Sequence, residues 1–248
     1  MKVKNILVSQ PKPESDKSPY FDLVNSHKVK IDFRPFIHVE GIDGKDFRKS
    51  KVNILDHKAV IFTSRNAVDH FFRICEELRI NVPDSMKYFC ISESTAYYLQ
   101  KYVVYRKRKI FHGRQSIEDL MDVIKKHNSE KFLLPCSDIH KEDIALKLED
   151  QKIEFTKAVL YKTVCSDLSD LKDVDYDVLV FFSPSGIKSL FKNFPKFKQN
   201  STAIAVFGPS TAKAAEEAKL RIDISAPMPE APSMTMALDN YLKKMNKK

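Results

Sequence analysis

The sequence predicts an α/β protein made of two parallel-sheet domains, the second inserted into the first. Apolar runs of strand length alternate with helical-period segments along the whole chain, the pattern of βα units that feed parallel sheets. One junction, Asp175–Phe191 (DYDVLVFFSPSGIKSLF), passes from a buried strand to a helix N-terminus with no loop between them. That junction has a counterpart in an earlier half of the chain, so the sequence also reads as a duplication.

Val178–Phe182 is a continuous apolar run, expected of a strand covered on both faces. Ser183 stands at the N-cap and Pro184 at the first helical residue, where a missing N–H costs nothing. Ile187, Leu190, Phe191 and Phe194 follow at helical spacing. Such a junction aims unpaired amides and the positive end of the helix dipole at the carboxyl edge of a sheet. Ser183 and Ser185 sit beside those amides, and Gly186 lets a ligand come close, which makes a site for anionic groups without a charged side chain. An ordinary well-capped helix that binds nothing has the same features. Residues 60–72, VIFTSRNAVDHFF, repeat the pattern when Ser64 is set on Ser183, an offset of 119. ISESTA at 91–96 matches FGPSTA at 207–212 at an offset of 116. Two matches in one order at nearly one offset argue for duplicated halves.

In chain order, Lys4–Ser9 is a strand and residues 10–15 a Pro-containing loop. Ser18-Pro19 opens a helix through Tyr20, Leu23 and Val24, and Val29–Phe36 is the second strand. Residues 38–54 read as a crossover with at most a short helix. The inserted half runs through strand Ala59–Phe62, helix Ser64–Leu78, strand Tyr88–Ile91, helix Thr95–Lys101 and strand Ile110–Phe111. Ser116 then caps helix Ile117–Lys126, with Glu118 and Asp119 in its positive first turn. Strand Lys131–Leu134 follows, then a helix through Ile144, Leu146 and Leu148 capped by Asp138. Strand Ile153–Leu160 continues into Tyr161–Val164. After an acidic linker, Asp167–Asp177, come strand Val178–Phe182, helix Pro184–Phe194, strand Ala203–Phe207, helix Pro209–Ala218, strand Ile222–Ile224 and helix Ser233–Met245. Ten strands divide into two sheets of five. Residues 1–36 with 166–248 form one domain, and residues 37–165 the inserted one.

A chain of 248 residues is long enough for two domains, and 43% hydrophobic residues allow a core in each. The formal net charge of +9 favours an acidic ligand or partner. The basic residues are dispersed apart from Arg106–Lys109 and the Lys243–Lys248 tail, both read as solvated. No nucleic-acid motif occurs, so nucleic acid is not an expected partner. Cys75, Cys90, Cys136 and Cys165 share no metal spacing, and the first three fall in apolar segments, which fits a reducing compartment. There is no signal-peptide pattern at the N-terminus and no membrane span, so a soluble cytoplasmic protein is expected. GxGxxG and GxxxxGK[ST] are absent and the seven histidines are dispersed, which argues against nicotinamide, nucleotide or metal chemistry.

The pieces PYFDLV, VIFTSRNAV, FLLPCSDIHKEDI, AVLYKTV, FFSPSGIKSLF, IAVFGPSTAKAA and APMPEAPSMTMAL together resemble the uroporphyrinogen-III synthase family over nearly the whole chain. The resemblance implies two flavodoxin-like domains joined by a pair of crossing strands, with the ligand in the cleft between them. It implies a cofactor-free lyase acting on hydroxymethylbilane, a linear tetrapyrrole with eight carboxylates. The terminal hydroxyl leaves as water, and the last ring closes with inversion through a spiro intermediate. Holding one folded conformer is then the main task. Thr63, Ser64, Ser94 and Thr95 on one domain, and Ser183, Ser185, Gly186, Gly208, Ser210 and Thr211 on the other, become substrate-binding candidates. Arg65 could reach a carboxylate, and Lys141 is a weaker candidate of the same kind. Tyr161, in LYKTV, is the candidate proton donor to the leaving hydroxyl. His112 and His140 read as surface or supporting groups. Ser92 stands where the family often carries glycine, and Lys152 and Lys219 replace glycines usual at helix ends. A monomer is expected, with transient hand-over of substrate from the preceding pathway enzyme. The competing readings are a two-lobed binding module for a tetrapyrrole or other small anion, which would not need Tyr161, and, more weakly, nucleic-acid binding through the positive charge.

Overall fold

A computed structural model describes residues 2–114, 116–139, 143–171 and 175–246. The chain separates into two units, Met1–His38 with Val164–Lys248, and Val39–Thr163. The first unit holds strands β1 (Asn5–Val8) and β2 (Lys30–Phe33), and, from the far end of the chain, β9 (Val178–Phe181), β10 (Ala203–Phe207) and β11 (Ile222–Ala226). They form one sheet in the order β2-β1-β9-β10-β11, and each of the neighbouring pairs is parallel. Counted within the unit, this is the 2-1-3-4-5 order of flavodoxin-like sheets.

Period-2 alternation sorts the strand residues onto two faces. Val178, Val180, Ile6, Val8, Ala203 and Ala205 enter one core, which also takes Leu23 of α1 (Pro19–His27) and Leu238 and Leu242 of α9 (Met234–Asn246). Leu179, Phe181, Leu7, Ile204 and Val206 enter the opposite core with Ile187 and Leu190 of α7 (Pro184–Asn193) and Ala215 of α8 (Pro209–Glu217). Burial on both faces explains why these strands lack polar alternation.

The second unit holds β3 (Ile37–Gly41), α2 (Gly44–Lys49), β4 (Ala59–Phe62), α3 (Arg65–Glu77), β5 (Lys87–Cys90), α4 (Glu93–Leu99) and β6 (Ile110–His112). It continues with α5 (Ile117–Lys125), β7 (Phe132–Ser137), α6 (Asp143–Asp150) and β8 (Phe155–Cys165). β3 begins, and β8 ends, just across the unit boundary. The sheet order is β3-β8-β7-β4-β5-β6. The duplicated motifs place β4 on β9 and β5 on β10. With that assignment β6-β5-β4-β7-β8 matches β11-β10-β9-β1-β2 strand for strand. The two units therefore share one sheet layout, which the chain enters at a different strand in each. This spatial agreement supports the duplication more strongly than the short motifs do.

Several sequence expectations are corrected. The described residues contain eleven strands, because β3 lies in the segment read as a crossover, where Ile42 N–H donates to Leu160 O at 2.9 Å. A strand with only exposed or half-buried residues carries no apolar run to betray it. Helix α4 starts at Glu93 under Ser92, two residues ahead of the expected Thr95. The expected cap of α6 by Asp138 falls on residues 140–142, outside the described residues. The Asp138 carboxylate accepts the amides of Ile139 (2.8 Å) and Thr163 (3.0 Å) and so braces the end of β7 against β8.

Helices α3, α6 and α8 close on Arg79 (φ 56°), Lys152 (φ 55°) and Lys219 (φ 59°), all in the left-handed region. In each case the next amide reaches back five residues. Ile80 N–H meets Cys75 O at 2.7 Å, Ile153 N–H meets Leu148 O at 2.9 Å, and Leu220 N–H meets Ala215 O at 2.9 Å. A side chain with a Cβ is disfavoured there, so Lys152→Gly or Lys219→Gly is expected to stabilise its unit by about 0.5–1 kcal/mol. The check is a higher urea midpoint at unchanged slope, and a lower midpoint refutes it.

Burial lowers the affinity of three histidines for a proton: His57, His70 and His127 all fall below the ordinary 6.5. Arg73 adds to the effect at His70 and Lys87 at His127. Between their folded values and 6.5 the unfolded chain binds more protons, so stability is complete above 6.5 and is lost as the pH falls. Urea midpoints measured at pH 7.5 and 5.5 should show the drop, and a midpoint independent of pH contradicts it.

Candidate functional site

In an open parallel sheet a ligand crevice forms where neighbouring strands send their connections to opposite sides. In the first unit that point lies between β1 and β9, and in the second between β4 and β7. Ser183 follows β9 and Ser64 follows β4, so the duplicated junctions sit at the two switch points. Both serines have extended backbones, with φ, ψ of −155°, 154° and −163°, 166°. Ser183 Oγ accepts the Gly186 amide at 3.2 Å, and Ser64 Oγ accepts the Ala67 amide at 3.2 Å. Each cap satisfies one amide and leaves the rest of the first turn facing the crevice.

The other candidates divide by exposure. Thr63 and Ser185 are half-buried, and Arg65, Ser94 and Ser210 are exposed. The Arg65 guanidinium lies 5.3 Å from the Tyr98 ring centre. Gly186 is buried, and a Cβ built on it would meet Phe181, Ser183 and Ser9 at 3.4–3.8 Å. These are ordinary van der Waals distances, so the neighbours by themselves do not demand glycine at this position. Ser9, at the end of β1, was not singled out from the sequence, although it stands directly across the switch point from Ser183. His112 is exposed beside Gly113, and Lys141 and His140 lie outside the described residues.

The second pair of junctions shows where the halves differ. Ser92 is extended (φ −143°), and its Oγ accepts the Thr95 amide at 3.3 Å. The same oxygen lies 3.1 Å from Thr95 Oγ1 and 3.0 Å from Ser94 Oγ. The hydroxyls of this turn thus satisfy one another. At the matching place in the first unit stands Gly208, with φ +86° and ψ 154°, and α8 has no side-chain cap. A Cβ on Gly208 would meet nothing within 4 Å. Thr211, the counterpart of Thr95, is 1% exposed, and its Oγ1 has no hydrogen-bond partner among the described residues. A buried hydroxyl without a partner carries a free-energy cost, which a ligand acceptor would remove. The N-terminus of α8 is therefore open and underused, whereas that of α4 is closed on itself.

Tyr161, on β8, is 7% exposed and belongs to the core of the second unit. Its ring stacks on His70 with centres 4.9 Å apart and planes 20° apart. Burial pushes the phenol above its ordinary 10, an effect that the nearby Ser64 side chain partly offsets. The group is therefore held protonated at neutral pH beside the helix cap of its own switch point. Among the described residues no group of three or more His, Cys, Asp or Glu could hold a metal ion.

Since Gly208 occupies a region of φ and ψ that only glycine enters easily, Gly208→Ala is expected to destabilise the chain by about 1–3 kcal/mol. A melting curve decides this, and an unchanged midpoint would mean that the backbone there relaxes without cost.

Residues 20–236 match the model of the family described as uroporphyrinogen-III synthase HemD. The yeast Saccharomyces cerevisiae uroporphyrinogen-III synthase is 27% identical over 141 residues, half of this chain and half of that protein's length. Among solved structures, the uroporphyrinogen-III synthetase of Helicobacter pylori aligns over 97% of this chain and 99% of its own, with 18% identity and a TM-score of 0.61. A mutant uroporphyrinogen III synthase from Thermus thermophilus aligns over 99% of this chain and 100% of its own, with 12% identity and a TM-score of 0.54. These likenesses establish the fold. The family model spans most of the sequence, and the chain belongs to the uroporphyrinogen-III synthase family.

Proposed function

We propose that this chain closes hydroxymethylbilane to uroporphyrinogen III, with loss of water and inversion of the terminal ring, and without a cofactor. Family membership supports the reaction. The structural observation that carries the reading is Thr211, a buried hydroxyl with no partner among the described residues, beside the open turn at Gly208. In this reading Thr211, Ser210 and the first amides of α8 take a substrate carboxylate. Ser183 and Ser185 with the α7 amides, and Thr63 and Ser64 with those of α3, take others. Arg65 supplements them from an exposed position. Ser94 and Thr95 contribute less, because Ser92 already engages them.

A polyanion held at many neutral donors is fixed in one folded conformer, which is what ring closure with inversion requires. The positive net charge of the chain assists its capture. Tyr161 stays a phenol at neutral pH and lends its proton to the hydroxyl as that group departs. The same reading takes the protein as a cytoplasmic monomer that receives substrate from the preceding enzyme. None of the four cysteines forms a disulfide. No described helix is long and apolar enough to cross a membrane.

The experiment is a coupled assay with freshly generated hydroxymethylbilane and separation of the isomers, run on the wild type and Thr211→Val. Type III product is expected from the wild type, and type I alone would leave only a binding module. Valine removes an unpartnered hydroxyl, so stability should hold or rise by up to about 1 kcal/mol, while kcat/KM falls about tenfold, mainly through KM. An unchanged kcat/KM sinks the role of Thr211.

A further inference from the structure

Arg73 joins segments of the second unit that lie far apart in the sequence. It lies on α3 one turn after His70, and three of its nitrogens donate in different directions. Nε donates to His70 Nδ1 at 3.2 Å and Nη1 to Glu77 Oε2 at 2.9 Å. Nη2 donates to Ile42 O at 2.6 Å and to Leu160 O at 3.3 Å. Leu160 is the residue before Tyr161, and Ile42 directly follows β3, so one guanidinium ties α3 to two neighbouring backbone segments. Glu77, held by Arg73, accepts the Gly44 amide at 2.5 Å and extends the tie to the start of α2. A Cβ on Gly41 would fall 2.7–2.8 Å from Cζ, Nε and Nη2, so alanine there would force the guanidinium to move.

A guanidinium only donates, so His70 Nδ1 must accept, and the neutral ring then carries its proton on Nε2. The cation and burial together oppose a second proton on that ring. The ring whose tautomer is fixed in this way is the one stacked on Tyr161. Arg73 thus acts on Tyr161 twice, through the backbone of Leu160 and through the plane of His70.

We propose that Arg73 is a positioning residue for ring closure, which fixes the direction of the Tyr161 hydroxyl by clamping Leu160 and holding His70 flat against the phenol ring. The proposal rests on the reading of Tyr161 as the group at the leaving hydroxyl. Lysine cannot reproduce the fork, because a single ammonium serves one direction at a time. Gly41→Ala keeps the arginine but forces its guanidinium to move, so the two variants attack one clamp by different routes.

The test compares Arg73→Lys, Gly41→Ala, Tyr161→Phe and the double variant Arg73→Lys/Tyr161→Phe, each confirmed folded by its melting curve. The readouts are kcat and KM with hydroxymethylbilane and the His70 tautomer by nitrogen-15 NMR. Both clamp variants are expected to lower kcat about tenfold with KM within about twofold, since a small misplacement acts on the chemical step more than on binding. The fixed Nε2–H signal of His70 should be lost in both. The double variant should be no slower than Tyr161→Phe alone, because the clamp works through that hydroxyl. If Tyr161→Phe is slow while Arg73→Lys keeps full kcat, the positioning role is overturned and the reading of Tyr161 stands. If Tyr161→Phe keeps full kcat, the reading of Tyr161 falls, and the proposal with it. Retention of the His70 tautomer in Arg73→Lys also overturns it.

Discussion

A parallel sheet delivers every strand end to the same edge, and a helix that starts there brings amides with no partner inside the helix. The architecture of this chain depends on that constraint. Each unit meets it with a serine at the switch point, Ser183 after β9 and Ser64 after β4, whose side chain satisfies one amide. The remaining amides and the helix dipole make each edge attractive to anions, although no charged side chain is needed there. A ligand bearing many carboxylates suits a protein that offers several such edges. Neutral donors also avoid the desolvation cost of burying cations in advance of the ligand.

The shared sheet layout makes the departures between the units informative. At the first junction both units use an extended serine with nearly the same dihedral angles. At the second, Ser92 turns inward and engages Thr95, while Gly208 adopts a conformation barred to it and leaves Thr211 without a partner among the described residues. A single substitution at one cap position thus separates a satisfied helix start from an open one. The energetics favour the same division of labour. The closed turn gains its hydrogen bonds within the protein, and the open turn keeps an unmet hydroxyl that gains most when an acceptor arrives.

Tyr161 shows how burial sets the state of a side chain. Exposed on a strand, it would be an ordinary phenol. Packed into the core of its unit against the His70 ring, it is held protonated. Asp138 reinforces the same region by bonding the Thr163 amide, two residues further along β8. The geometry around this tyrosine is therefore built by α3, β7 and β8 together, with Arg73 linking α3 to the backbone beside it.

The amino-acid sequence by itself determined the βα alternation, the insertion of one unit into the other and the duplicated strand-to-helix junctions. Those features are written in local signals: unbroken apolar runs for strands buried on both faces, and Ser, Ser-Pro or Gly-Pro at helix starts. It also marked Lys152 and Lys219 as lysines at glycine-type helix ends, and both adopt the left-handed conformation. Only the tertiary structure decided that β3 joins the second sheet, because an exposed strand pairs through its backbone and leaves no apolar pattern. Only packing decided that Ser92 engages Thr95, and that Thr211 has no partner among the described residues. The same holds for Arg73, whose partners are scattered from residue 42 to residue 160. Hydrogen-bond satisfaction is a property of which distant groups meet, and a linear sequence does not record those meetings.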